Sequence, residues 1–113
     1  MSAVDASVLD QLLSDLGGDA DGLRELVGLF LAGAPKLVAD ARDACARGDA
    51  QAYRRAAHTL KSSAGTVGAR ELQRMAREAE GAAPDAKRVE ELAAELARVV
   101  SALGTWRPHE ARG

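Results

Sequence analysis

Apolar residues recur every three or four positions in five successive segments of this chain, and a glycine follows each segment. That spacing places them along one side of an α-helix, and glycine is the residue that most often ends a helix. The pattern predicts a first helix near 5–16, a second from about 19–21 to Gly48, a third from Asp49 to Gly68, a fourth ending at Gly81, and a fifth near 86–103 that Gly104 ends.

The composition favours helices packed on helices. Hydrophobic residues make up 47% of the 113 residues, but aromatic residues only 3%. This suits a tightly packed core of Leu, Val and Ala and argues against a β-sandwich. A chain of this length forms one domain. We therefore predict an all-α fold, an antiparallel up-down-up-down four-helix bundle over residues 1–104. The first helix is a short N-terminal cap, and 105–113 form a flexible tail.

Three local features add detail to this prediction. The apolar spacing continues on both sides of Pro35, which favours one kinked helix over two separate helices. In the fifth helix the same spacing predicts an outward face of charged residues: Glu90, Glu91, Glu95 and Arg98. Trp106, in the tail, either packs back on the bundle or marks a partner surface.

Charge and cysteine content bear on the class of protein. The formal net charge of −2 gives no general attraction to nucleic acid or to an anionic membrane. No apolar run approaches the ~18 residues of a membrane span, and the N-terminus lacks a signal-peptide pattern, so we expect a cytoplasmic protein. The one cysteine, Cys45, lies on an apolar stripe and is expected in the core. A metal site of His58, His109 and Cys45 lacks any ligand spacing, so no metal or cofactor is expected on this chain.

His58 stands out because the third helix directs it away from the core. At ~100° per residue, its ring points roughly 150° from the centre of the apolar face. Its neighbours three, four and seven positions away are cations, small residues and one amide: Gln51, Arg54, Arg55, Lys61, Ser62 and Gly65. A helical glycine costs about 1 kcal/mol relative to alanine, so Gly65 suggests that access to the ring matters.

An exposed neutral imidazole among cations suits phosphoryl transfer. The ring is a nucleophile at cellular pH, and the transition state gathers negative charge on oxygens that nearby cations stabilise. Lys61 and Arg54, one turn on either side of His58, are candidates for those cations. The sequence has no Gly-rich phosphate loop and no acidic cluster after His58 that could hold Mg²⁺. We therefore expect a partner protein to supply both phosphoryl group and metal ion.

The residues from His58 onward resemble a known family. His58-Thr59-Leu60-Lys61-Ser62-Ser63-Ala64, followed by Val67-Gly68-Ala69, is similar to the signature of histidine-containing phosphotransfer (Hpt) domains. The resemblance implies a phosphorelay intermediate. His58 would accept a phosphoryl group from the aspartyl phosphate of one receiver domain and pass it reversibly to the aspartate of another. It also implies that Lys61 lies beside the phosphoryl group and that Gly65 belongs to the small-residue clearing.

The partner surface follows less directly from the resemblance. The family often has glycine after the lysine, where this chain has Ser62, whose hydroxyl can bond either the phosphoryl group or the ring. Arg54, Arg55 and Gln51 are candidates for contact with a receiver domain, and the arginines suit a solvated face equally well. The expected partners are response-regulator receiver domains, the receiver domain of a hybrid histidine kinase, or both.

Two alternative functions make different demands on the sequence. The dimerisation domain of a sensor histidine kinase usually has an acidic residue after its histidine and a proline four residues beyond. Here Thr59 and Ser63 occupy those positions. No ATP-binding boxes appear, so we expect a monomeric phosphoryl carrier without kinase activity of its own. A helical adaptor that binds a signalling partner without chemistry is the remaining alternative, and replacing His58 discriminates the two.

Overall fold

The computed structural model describes residues 2–106, which form five α-helices and no β-strand. In chain order these are α1 (Ala6–Asp15), α2 (Ala20–Arg47), α3 (Ala50–Thr66), α4 (Arg70–Glu80) and α5 (Ala86–Thr105). The all-α prediction is confirmed, and each predicted helix has its counterpart. None of these helices is both long enough and apolar enough to cross a membrane. Most of the predicted tail, including His109, lies outside the described residues.

Aspartate side chains fix where most of the helices begin. Asp5, Asp19, Asp49 and Asp85 each precede a helix and accept a hydrogen bond from a backbone N–H of its first turn. Such caps satisfy donors that have no partner within the helix. The exception is α4, which follows Ala69 without a side-chain cap. Its start depends on the turn at Gly68 instead.

The proline and the two glycines that interrupt the apolar pattern of α2 and α5 affect their helices differently. α2 continues through Pro35 as one helix, as predicted, and Gly48 ends it in the left-handed conformation with φ of 68°. The prediction that Gly104 ends α5 is wrong, because the helix continues to Thr105. Gly104 does not have the positive φ of a glycine that ends a helix. The Trp106 N–H donates a hydrogen bond to the Ala102 carbonyl at 3.1 Å and completes the last turn.

Four helices enclose the core, with α3 and α5 each packed against both α2 and α4. Apolar side chains from all five helices form the core, and the half-buried Cys45 packs against it. Glu95 corrects the expected outward face of α5, since it is only 3% exposed. α5 is covered from two sides, and the Glu95 carboxylate accepts a hydrogen bond from Arg98 Nε at 2.9 Å. This ion pair offsets part of the cost of burying the charge.

The segment before α1 is held on the turn between α3 and α4. The Asp5 backbone N–H donates to the Gly68 carbonyl at 2.8 Å, and Arg70 Nε donates to the Asp5 carboxylate at 2.8 Å. Hydrogen bonds from Ser7 and Arg70 lower the pKa of Asp5 to about 2. Its contribution to stability is therefore present above the ordinary value of 3.8 and is lost as the pH falls towards about 2. Leu9 of α1 is fully buried, which matches a helix that covers part of the core.

Gly68 is required at this turn for two reasons, and Gly48 provides a matched comparison. Gly68 has φ of +76°, and an added Cβ would lie 2.9 Å from both the Asp5 carbonyl oxygen and Val8 Cβ. Gly48 has a similar φ of +68°, but nothing lies within 4 Å of the position of its Cβ. The left-handed conformation costs a non-glycine residue roughly 1–2 kcal/mol.

We predict that Gly48→Ala lowers the free energy of unfolding by about 1 kcal/mol, because only the backbone is strained. Gly68→Ala should lower it by more, since the methyl group also displaces the segment before α1. Urea denaturation followed by circular dichroism measures both. Equal losses would contradict the proposed contact between the turn and the N-terminal segment.

Candidate functional site

His58 lies on the exposed side of α3. The apolar side of this helix is buried as predicted, through Tyr53, Ala56, Ala57, Leu60 and Ala64. The His58 side chain, by contrast, is 59% exposed. The ring is therefore accessible to a second protein, while the helix that carries it is fixed by the core.

A glutamate from the neighbouring helix holds one edge of the ring. The last residue of α4, Glu80, lies with Oε2 at 2.7 Å from His58 Nδ1. Its other oxygen, Oε1, accepts a hydrogen bond from Lys61 Nζ at 2.7 Å. One carboxylate thus joins His58 and Lys61, which are one turn apart on α3. We call these three side chains the His58 triad.

The charge state of Glu80 decides which ring nitrogen is available. Hydrogen bonds from Lys61 and then from His58 hold the pKa of Glu80 below its ordinary value, so the carboxylate is ionised near neutral pH. An ionised carboxylate only accepts hydrogen bonds. Because of this, Nδ1 of a neutral His58 must carry the proton, and Nε2 keeps its lone pair. The triad thus selects the tautomer in which Nε2 carries the lone pair.

The turn at Gly68 brings Glu80 to His58. His58 lies eleven residues before Ala69 and Glu80 eleven residues after it, so the two face each other across the α3–α4 hairpin. Gly65 and Gln73, each four residues from Ala69, meet in the same way. A Cβ at Gly65 would collide with the Gln73 side-chain amide. The space expected at Gly65 is therefore occupied by Gln73.

The other predicted site residues lie on α3 around the triad and make no polar contact with the ring among the described residues. Ser62 is exposed one turn after His58, and Gln51, Arg54 and Arg55 are exposed on the N-terminal half of α3. Within residues 2–106, none of these four side chains forms a hydrogen bond or salt bridge with His58. In the same range, no group of three or more His, Cys, Asp or Glu side chains could hold a metal ion.

The periodicity of a single helix does not identify Glu80 or Gln73, because their roles depend on contacts between two helices. Glu80 resembles an ordinary charged residue at the end of an amphipathic helix. The signal that identifies it is its distance from the turn, which equals that of His58 on the other side. Residues at equal distances from a tight helical turn lie opposite each other if the two helices are antiparallel.

Comparison with known proteins gives one positive result. The family model described as Hpt domain matches residues 25–106, from the first turns of α2 to the end of α5. No curated protein and no solved structure matches the chain.

Removing Glu80 should change the tautomer of His58. At pH 8.5, where an ordinary imidazole is neutral, we expect the ¹⁵N chemical shifts of the wild type to report a proton on Nδ1. Glu80→Ala should shift the population towards the tautomer with the proton on Nε2, because Nδ1 loses its acceptor. The exposed Glu91, changed to Gln, serves as the control and should leave the shifts unchanged. A wild-type ring protonated mainly on Nε2 would contradict the assigned geometry.

Proposed function

Because the chain belongs to the Hpt domain family, which transfers phosphoryl groups through histidine in two-component phosphorelays, we propose that His58 is its phosphoacceptor. The phosphoryl group arrives from the aspartyl phosphate of one receiver domain and leaves to the aspartate of another. The observation that supports this most strongly is the exposed ring whose Nδ1 is held by Glu80.

The transfer exchanges one bond for another without a proton leaving the ring. The Nε2 lone pair attacks phosphorus as the bond from phosphorus to the aspartyl oxygen breaks, and the receiver carboxylate departs with that electron pair. The positive charge that develops on the ring is stabilised through Nδ1–H by the ionised Glu80. The reverse step returns the phosphoryl group to an aspartate. The metal ion belongs to the receiver domain.

Lys61 and Ser62 have distinct roles in this proposal. Lys61 is bonded to Glu80 at 2.7 Å and lies one turn from His58, so its positive charge both fixes the carboxylate and offsets the charge of an incoming phosphoryl group. Ser62 has a small side chain, which leaves the approach to the ring open. Arg54 is exposed one turn before His58 and provides a second cation, while Arg55 and Gln51 extend the surface towards a receiver domain.

We propose that α2 to α5 run up-down-up-down, which the short connections between them support. Residues 1–104 act as the transfer domain and 105–113 as a tail, in a monomer that is a carrier without kinase activity. Suitable partners are response-regulator receiver domains and the receiver domain of a hybrid histidine kinase.

We predict that His58→Gln abolishes phosphoryl acceptance while leaving the fold intact, because the exposed ring has no role in the core. Purified protein is mixed with radiolabelled, phosphorylated receiver domains from the same genome, beside the variant. Label should move to the wild type only and should be labile in acid and stable in alkali. Label on the variant, or no transfer from any receiver to the folded wild type, would favour the adaptor alternative.

The transfer rate should fall as the pH is lowered from 8 to 5. A protonated imidazole has no lone pair at Nε2, whereas the lowered pKa of Glu80 keeps its carboxylate ionised over this range. Single-turnover rates measured with a receiver shown to be folded at each pH test this expectation. A rate that is flat or rises towards pH 5 would count against attack by neutral His58.

A further inference from the structure

The arginines that form no ion pair are concentrated on the α3–α4 hairpin. Within residues 2–106, Arg54, Arg55 and Arg77 form no salt bridge and no side-chain hydrogen bond. The other arginines in this range each pair with a carboxylate: Arg24, Arg42, Arg47, Arg70, Arg74, Arg88 and Arg98. Arg54 and Arg55 belong to the helix that carries His58, whereas Arg77 belongs to α4.

Arg77 lies level with Lys61 across the hairpin. It follows Ala69 by eight residues, and Lys61 precedes Ala69 by eight. The same equal distance from Ala69 brings His58 and Glu80 into contact. Since His58 is one turn from Lys61, about 4.5 Å along α3, and helix axes are 8–10 Å apart, the axes at His58 and Arg77 are roughly 10 Å apart.

Arg77 also belongs to the side of α4 that meets α3. Gln73 lies four residues before it, against Gly65, and Glu80 lies three residues after it, against His58. Residues at these spacings are neighbours on one side of a helix. Gln73 and Glu80 are half-buried, whereas Arg77 is exposed, so it occupies the outer edge of this side. The exposed His58 occupies the facing edge of α3.

Lys61, the other cation at this level, is held by the triad. Its Nζ donates to Glu80 Oε1 at 2.7 Å, and only 25% of its side chain is exposed. Moving Lys61 onto a phosphoryl group would break the bond that helps to fix the carboxylate beside the ring. Arg77 has no such bond to lose within the part of the chain that the structure describes.

A guanidinium is well suited to the group that is transferred. Arginine presents five N–H donors in a planar fork, which can bind two phosphoryl oxygens at once. The phosphoryl group carries negative charge on three oxygens in the transition state, and Glu80 already offsets the charge of Lys61. Arg54 lies one turn before His58 on α3, so Arg54 and Arg77 provide unpaired cations on two sides of the ring.

We propose that Arg77 binds the phosphoryl group as it passes to and from His58, by donating N–H hydrogen bonds to the oxygens that remain on phosphorus. This rests on the proposed function. The Nε2 lone pair still attacks phosphorus, and Arg77 neither gives nor takes a proton. Its charge stabilises the oxygens in the transition state. Lys61 positions Glu80, and Arg77 contacts the transferred group.

The test compares two changes at Arg77 with one at a remote arginine. Arg77→Ala removes the guanidinium, and Arg77→Lys keeps the charge without the planar fork. Arg24→Ala is the control, since Arg24 has a 70% exposed side chain in a groove formed by α2, α5 and Trp106. Single-turnover transfer from a phosphorylated receiver domain is measured over a range of receiver concentrations. Thermal unfolding and the ¹⁵N shifts of His58 at pH 8.5 are recorded for each variant.

Arg77→Ala should slow transfer even at saturating receiver concentration, by about 10-fold or more, because a charge-assisted hydrogen bond to the transition state is lost. Arg77→Lys should recover part of this rate. Neither change should alter the unfolding temperature or the tautomer of His58, since the described residues offer Arg77 no bond that is lost. Arg24→Ala should transfer at the wild-type rate.

Four other results would overturn the inference. A wild-type rate in Arg77→Ala would make Arg77 an ordinary solvated arginine, while the function of His58 stood. A loss confined to low receiver concentrations would place Arg77 in contact with the receiver protein and not with the phosphoryl group. A change of the His58 tautomer in Arg77→Ala would show that Arg77 acts through Glu80. Transfer from no receiver even to the wild type would reject the proposed function and this role together.

Discussion

The conformation of a single residue, Gly68, organises both the fold and the candidate site. Its left-handed φ of +76° turns the chain between α3 and α4, and its carbonyl receives the Asp5 N–H from the segment before α1. The turn also sets the register of the hairpin. His58 meets Glu80, and Gly65 meets Gln73, because the members of each pair are equally distant from Ala69. A side chain at this position would disturb the N-terminal contact and the alignment of the triad together.

The triad fixes the orientation of a histidine ring on the protein surface. Glu80 fixes the proton on Nδ1, and Lys61 neutralises the charge that this carboxylate brings to the surface. The ring remains 59% exposed, so the same arrangement that orients it leaves Nε2 open to a partner. Phosphoryl transfer needs few further groups on the carrier, because its loose transition state is stabilised mainly by positioning and by nearby charges. In the proposed function, the receiver domain supplies the remaining chemistry.

Periodicity predicts this fold well because the helices are amphipathic and four of them begin at aspartate caps. It also places His58 outward, since one face of α3 is so clearly apolar. What it misses depends on contacts between helices. Glu80 joins the site, Gln73 fills the space beside Gly65, and Glu95 is buried because α5 packs against both α2 and α4. None of these follows from the pattern of one helix, although counting from the α3–α4 turn identifies the first two.

The most direct test of this account is the position of the phosphoryl group on the loaded protein. Protein labelled with ¹⁵N in histidine is phosphorylated by a receiver domain, and ³¹P and ¹⁵N NMR then identify the nitrogen bonded to phosphorus. We expect a single phosphorylated residue, His58, with phosphorus on Nε2 and the proton retained on Nδ1 beside Glu80. Phosphorus on Nδ1, or on any other residue, would contradict it.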